Sequence, residues 1–398
     1  MINNGIDDNI NYDESDKTKY KIKVCFVSTS AYPLFNKKSM AFFGGAEVNM
    51  YNLAKKISED PQFDVTVCVG DYDQKHLESY DKVKVRKLKF QPMLFGANNA
   101  KYERVHYKIL RQIFMIKALA LNNYDVYINT CGGGMISQVV LLGKVVRRKK
   151  VIFRLASDTD AQYTKFEGKT GNIKSWLYRR ALKNTSLVVA QTEKQKTMLK
   201  ENMNISSVVI GNGFFIKDQT DISSKEFILW VSRSDENKRP ELFLELASRM
   251  PNERFVIIIP GANQTKTQTV ETAKKLKNVE LLDFVPFSEI QEYYERAKLF
   301  VNTSVYEGFP NSFIQSFLAA TPILSFNVNP DEFITRYKVG HVCNNNIEDA
   351  ISFIKSLDEE KIKEMGRNCL NYVREKHDIS NSAQKYKDNI KRLLKIDK

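Results

Sequence analysis

Short apolar runs alternate along this chain with longer stretches of helical period. Residues 21–29, 65–69, 124–129, 150–155, 186–190 and 207–210 in the first half read as buried strands, as do 227–231, 255–259, 279–282, 299–302 and 323–326 in the second. Residues 82–90 (KVKVRKLKF) alternate basic and mostly apolar positions, as an exposed strand does. Helical spacing covers 47–57, 100–120, 176–183, 241–250, 288–296, 311–320, 347–357, 359–376 and 380–394. In 311–320, Phe313, Ile314, Phe317 and Leu318 make one apolar face; Pro310 suits the first turn, and Thr321-Pro322 ends the helix because a residue before proline leaves the α region. Gly211-Asn212-Gly213 and the polar residues 217–225 break the alternation in mid-chain. Two doubly wound α/β units follow.

The candidate chemistry sits at strand ends. Residues 304–326 (SVYEGFPNSFIQSFLAATPILSF) predict strand–loop–helix–strand with Glu307 in the loop. Two readings fit. One is an ordinary βαβ unit with a solvated carboxylate. In the other, the helix N-terminus receives an anion while Glu307 accepts hydroxyl hydrogen bonds, which makes a sugar-nucleotide site. Arg233 and Lys238 flank one loop, either solvated or reaching a pyrophosphate, the first bidentately and the second as a point charge. Gly44-Gly45 at a helix entrance serves close backbone approach to a ligand or a plain tight turn. Polar residues 156–160 follow a strand, where open α/β sheets bind ligands; Ser157 or Asp158 serves there as a helix cap or in catalysis.

The wording EGFPN, followed by an apolar helix and a small-x-Pro-apolar end, resembles the donor-site signature of retaining GT-B glycosyltransferases, family GT4. GGAE (44–47) is similar to that family's N-domain glycine loop, the Arg233…Lys238 loop to its donor-phosphate loop, and residues 283–286 to the loop that meets the nucleotide base. The resemblance spans roughly residues 22–395. It implies the GT-B architecture, two doubly wound Rossmann-like domains facing across a cleft: an acceptor domain over 21–214, a nucleotide-sugar donor domain over 215–379, and a helix at 380–398 packing back on the first. It implies a retaining hexosyltransferase moving sugar from a nucleotide-diphosphate sugar to a glycan or lipid-linked acceptor in cell-surface polysaccharide or glycoconjugate synthesis. Arg233, Lys238, Glu307 and Asp158 would be catalytic. Gly44, Gly45, Asn212, Gly261, Val285, Gly308, Phe309, Pro310, Asn311 and Gln315 would bind donor. No metal and no cofactor beyond the co-substrate are implied; Asp158-Thr159-Asp160 spells a metal motif that GT-B enzymes generally do not use. Three positions depart from the pattern: Gln315 replaces the second glutamate, Ala320 a glycine, and Ser232 another glycine. A sugar-nucleotide 2-epimerase and a non-catalytic sugar-nucleotide-binding protein are the alternatives.

Composition alters this picture in a few places. The 398 residues suffice for two domains, and no run of 18 apolar residues predicts a membrane span. Residues 1–20 are polar and lack a signal-peptide core, so a disordered tail and a cytoplasmic protein are expected. The five scattered cysteines read as buried free thiols, and the four histidines show no metal spacing. A net charge of +14 suits nucleic acid, an anionic membrane or an anionic substrate. No recognition motif supports nucleic acid. In 100–120, Lys101, Arg104, Lys108, Arg111 and Lys117 oppose the apolar Val105, Ile109, Ile113 and Ile116. That face is either solvated or meets anionic lipid or a lipid-linked acceptor at the inner membrane face.

Overall fold

The apolar runs assemble into two parallel sheets. The computed structural model describes residues 21–36, 38–39, 43–88, 122–130, 139–140, 143, 148–162, 171–217, 225–233, 236–260 and 264–396. The predicted tail 1–20, the basic helix over 100–120, the glycine triplet 132–134 and Gly261 lie outside these.

The N-terminal sheet contains β1 (Ile22–Val27), β2 (Phe63–Val69), β3 (Leu77–Tyr80), β4 (Val83–Lys87), β5 (Val126–Thr130), β6 (Lys150–Arg154), β7 (Leu187–Ala190) and β8 (Val208–Val209). Their order is β3-β4-β2-β1-β5-β6-β7-β8, parallel throughout except for the antiparallel pair β3–β4. The alternation read over 82–90 gives β4 one outward face, although β4 is not an edge strand. β4 has neighbours on both edges, and Val83 and Val85 are fully buried while Lys84 faces out. Helices α1 (Tyr32–Phe35), α2 (Gly45–Ser58), α3 (Gly171–Lys183) and α4 (Glu193–Met203) belong to this half.

The C-terminal sheet contains β9 (Phe227–Val231), β10 (Phe255–Ile258), β11 (Val279–Leu282), β12 (Ala297–Asn302), β13 (Ile323–Ser325) and β14 (Gly340–Val342), all parallel in the order β11-β10-β9-β12-β13-β14. Counted within the domain this is 3-2-1-4-5-6, the doubly wound dinucleotide-binding order, whose reversal point lies between β9 and β12. Its helices are α5 (Pro240–Arg249), α6 (Gln264–Ala273), α7 (Ile290–Arg296), α8 (Asn311–Leu318), α9 (Phe333–Arg336), α10 (Ile347–Lys355) and α11 (Glu359–Lys376). Each sheet is covered on both faces by apolar clusters, as its near-continuous apolar strands require. Among the described residues no helix is long and apolar enough to cross a membrane.

A last helix, α12 (Ile379–Leu394), leaves the C-terminal unit and buries Ala383, Tyr386 and Ile390 in the N-terminal core. The two chain crossings lie side by side: the Phe214 amide donates to the His377 carbonyl at 2.8 Å, and the Ile379 amide to the Phe214 carbonyl at 3.0 Å. Gly213 is a close-approach glycine, because a Cβ there would sit 2.9 Å from Ile379 Cα. At the end of α8, Ala320 takes φ 51°, the left-handed conformation that glycine adopts most easily. Its place in the family pattern is a glycine, so the substitution keeps the helix stop at the expense of strain.

Candidate active site

Because β9 and β12 are neighbours, the loops leaving their C-terminal ends are neighbours too. Polar contacts stitch them together. The Val305 amide donates to the Asn237 carbonyl at 2.8 Å, the Tyr306 amide to Asn237 Oδ1 at 3.1 Å, and Arg239 Nε to the Thr303 carbonyl at 2.7 Å. Trp230 Nε1 donates to Thr303 Oγ1 at 2.9 Å, tying the loop to the core. Lys238 is thus held on a loop of fixed shape, and its ammonium pairs with the Glu307 carboxylate. Ser304 Oγ donates to the same carboxylate oxygen at 2.9 Å. Arg233 stands exposed just beyond β9. A cationic loop and the Glu307 carboxylate therefore converge at the reversal point of the sheet, where open α/β sheets take ligands.

The rest of EGFPN faces the N-terminal domain. A Cβ on Gly308 would lie 2.8 Å from Gln195 Nε2 and 3.1 Å from the Ala156 carbonyl, so only glycine allows this approach. The Phe309 amide donates to Gln191 Oε1 at 3.0 Å. Pro310 is the N-cap of α8, and Asn311 opens it. The Asn311 side chain bridges the halves: Nδ2 donates to the Gly45 carbonyl at 2.8 Å, while Oδ1 accepts from Asn49 Nδ2 at 3.1 Å and Asn212 Nδ2 at 2.8 Å. Asn212 Nδ2 also donates to the Phe309 carbonyl at 3.0 Å, and Asn212 Oδ1 accepts from the buried Arg154. Gly44 N-caps α2, its amide donating to Glu47 Oε2 at 2.9 Å. Gly44, Gly45, Asn212, Gly308, Phe309, Pro310 and Asn311, scattered in sequence, lie together at this junction. Val285 packs at the edge of the C-terminal core. Gln315 lies one turn beyond Asn311 on α8, half-buried, and its carbonyl accepts from Gln291 Nε2 at 3.2 Å.

Ser157 is the cap: its Oγ accepts from the Thr159 amide at 3.1 Å at the start of a short 3-10 turn. Asp158 is buried, its carboxylate accepting from Lys194 Nζ at 2.8 Å and Gln195 Nε2 at 3.1 Å. A second bond set joins the domains beside it. Asp331 accepts from the amides of Glu193 and Lys194 at 3.0 Å each, so a C-terminal carboxylate satisfies the free amides and favourable dipole end of α4.

Sequence reasoning passed over Asn49, Arg154, Gln191, Gln195, Asp331 and His377. His377, buried at the domain crossing, bonds through Nδ1 to the Asn212 carbonyl at 2.8 Å and packs its ring against Phe309 with centroids 4.6 Å apart. A carbonyl only accepts, so Nδ1 carries the proton. Burial pushes the imidazole pKa down to about 4, with the neighbouring Lys376 charge lowering it further and the Asn212 bond opposing.

Two doubly wound parallel-sheet domains make up the GT-B architecture. The fold matches that of sucrose-phosphate synthase from Thermosynechococcus elongatus with a TM-score of 0.76 at 13% identity, over 94% of this chain and 100% of that one. Residues 214–376 match the family described as glycosyl transferases group 1. The alpha-monoglucosyldiacylglycerol synthase of Acholeplasma laidlawii is 29% identical over 140 residues, 33% of this chain and 35% of that protein. The amylovoran biosynthesis glycosyltransferase AmsD of Erwinia amylovora is 25% identical over 214 residues, 51% of this chain and 59% of that protein.

Proposed function

We propose that this protein is a retaining glycosyltransferase that moves a sugar from a nucleotide-diphosphate sugar to a glycan or lipid-linked acceptor in cell-surface glycan synthesis. The observation that carries the reading is the meeting of Lys238 and Glu307 at the β9/β12 reversal point, from loops 69 positions apart. The difficult step is departure of the nucleotide diphosphate. Arg233, Lys238 and the first amides of α8 stabilise the charge that develops on it, and such preorganised electrostatics is commonly the largest catalytic term. Lys238 rests on Glu307 until donor arrives; its flexible stem then turns to the phosphates and frees the carboxylate for sugar hydroxyls. Gly44 and Gly45 face the donor phosphates, Asn311 and Asn212 hold the two domains around them, and Val285 lies toward the base. Asp158 serves on the acceptor side. No bound metal or cofactor takes part in this scheme. The names of the two relatives, an alpha-monoglucosyldiacylglycerol synthase and an amylovoran biosynthesis glycosyltransferase, support a lipid-linked or glycan acceptor; in this scheme a cytoplasmic enzyme reaches it at the inner membrane face.

A thermal-shift panel of nucleotide sugars tests the donor. A true donor at about 100 times its Kd stabilises by about 2.7 kcal/mol, whereas a panel without any shift removes the reading. The same protein then separates the alternatives: nucleotide diphosphate released without acceptor marks an epimerase, and binding without turnover a sugar-nucleotide-binding protein.

Gln315 is assigned to the donor ribose. An amide keeps an acceptor there and adds donors, so Gln315→Glu retains or improves donor binding while Gln315→Ala weakens it. Calorimetric titration reads both. Unchanged affinity in folded Gln315→Ala would leave Gln315 as an ordinary helix-surface residue.

A further inference from the structure

A solvated helix turns its apolar stripe inward and its charges outward, and α3 departs from this. Gly171, Ser175, Tyr178 and Leu182 are buried on its inner face, and Tyr178 Oη anchors it by donating to the Asp160 carbonyl at 2.9 Å. The opposite stripe, at i, i+3, i+4 and i+7, is Ile173, Trp176, Leu177 and Arg180, and the first three are 63%, 52% and 44% exposed. Three large apolar side chains in one exposed stripe are a cluster rather than singletons, and such clusters mark interaction sites. The Arg180 guanidinium lies 5.4 Å from the Trp176 ring centre. Beside the stripe lies a hollow of about 430 Å³, open to solvent and lined by Trp176, Arg179, Arg180, Lys183 and Asn184. No acidic residue occurs between 171 and 184.

We infer that this face of α3 docks on an anionic lipid surface: Ile173, Trp176 and Leu177 enter the headgroup–acyl boundary and the basic hollow takes the headgroup phosphate. The ligand must be apolar on one side and anionic on the other, which is the chemistry of an acidic phospholipid. A second copy of the same face fits poorly, because it would set Lys174, Arg180 and Lys183 against their own copies. The topology gives the contact a purpose. α3 returns from the C-terminal edge of a parallel sheet, so Ile173 in its first turn lies at the edge that opens on the domain cleft, where a membrane-borne acceptor would arrive. The inference rests on the proposed lipid-linked acceptor for that purpose, but docking itself needs no sugar.

Full-length protein is titrated with phosphatidylcholine vesicles, with and without phosphatidylglycerol, and followed by sedimentation and tryptophan emission. The chain has two tryptophans and Trp230 is 2% exposed, so a blue shift on binding reports Trp176. Binding is expected to need phosphatidylglycerol, to fall with salt, and to drop at least tenfold in Ile173→Ser/Trp176→Ser/Leu177→Ser and in Arg180→Ser/Lys183→Ser, with donor binding unchanged in both. Wild-type sedimentation of the triple variant overturns the inference, as does absence of binding to either vesicle. So does loss of binding only in Lys101→Ser/Arg104→Ser/Lys108→Ser/Arg111→Ser, which moves the contact elsewhere, or a dimer that the triple variant abolishes. A protein that binds vesicles but no nucleotide sugar fails the functional reading alone.

Discussion

Lys238→Ala is expected to lower the transfer rate about 10²–10³-fold, about 2.7–4 kcal/mol of barrier, with the fold intact. The lysine is mostly shielded, fixed by a loop stitched at Asn237 and Arg239, and pairs with the Glu307 carboxylate. In the proposed scheme, removing it takes away the cation that meets the leaving diphosphate, and it leaves Glu307 with the Ser304 hydroxyl. Arg233→Ala is expected to act in the same direction, since it stands at the end of the adjacent β9. Steady-state rates with saturating donor and acceptor are the measurement, with thermal unfolding as the check on folding. Lys238→Ala combined with Glu307→Gln should cost less than the sum of the single changes, because the two side chains touch. Wild-type turnover in a folded Lys238→Ala protein would remove the phosphate role.

Acid is expected to weaken the domain crossing through His377. The ring is buried and neutral, with a pKa of about 4 against an ordinary 6.5. Above pH 6.5 both folded and unfolded chains hold it neutral, and its contribution is constant. Between 6.5 and 4 the unfolded chain takes up a proton that the folded one refuses, so stability falls by up to about 3 kcal/mol and levels off below 4. His377→Asn keeps a donor for the Asn212 carbonyl but does not titrate. The stability difference between wild type and variant should therefore shrink as pH drops across that window. NMR titration is the direct check, and a folded-state pKa near 6.5 or above would contradict the argument.

Both predictions draw on residues of different legibility. Lys238 and Glu307 could be read from sequence because each sits in a short local pattern with its own physical signal: a polar loop before Pro240, and a loop before the Pro310 helix start. His377, Arg154 and Asn49 have no local signal. Their partners are 165, 58 and 262 positions away, so only the completed fold brings them together. A buried arginine in KVIFR looks like any strand end until Asn212 is placed against it. The strands missed were the short ones. β3 (LESY) has no apolar run, with one large apolar or aromatic residue on each face, and owes its strand form to pairing with β4, and β14 has three residues whose glycine meets β13 so closely that a Cβ would lie 1.9 Å from the Ile323 carbonyl oxygen. The boundary of α8 was legible because Thr321-Pro322 acts through local backbone sterics.

The return of α12 to the first domain has a consequence for biosynthesis. On the ribosome, residues 22–209 can pair all eight strands of their sheet, yet the patch destined for Ala383, Tyr386 and Ile390 stays open until the whole second domain has been translated. The usual order, in which the first domain finishes before the second begins, is therefore unavailable to this chain. Between those moments the nascent protein carries an uncovered apolar patch against α2, and premature termination after α11 would expose the first domain to chaperones and proteases while leaving the sheet of the second complete.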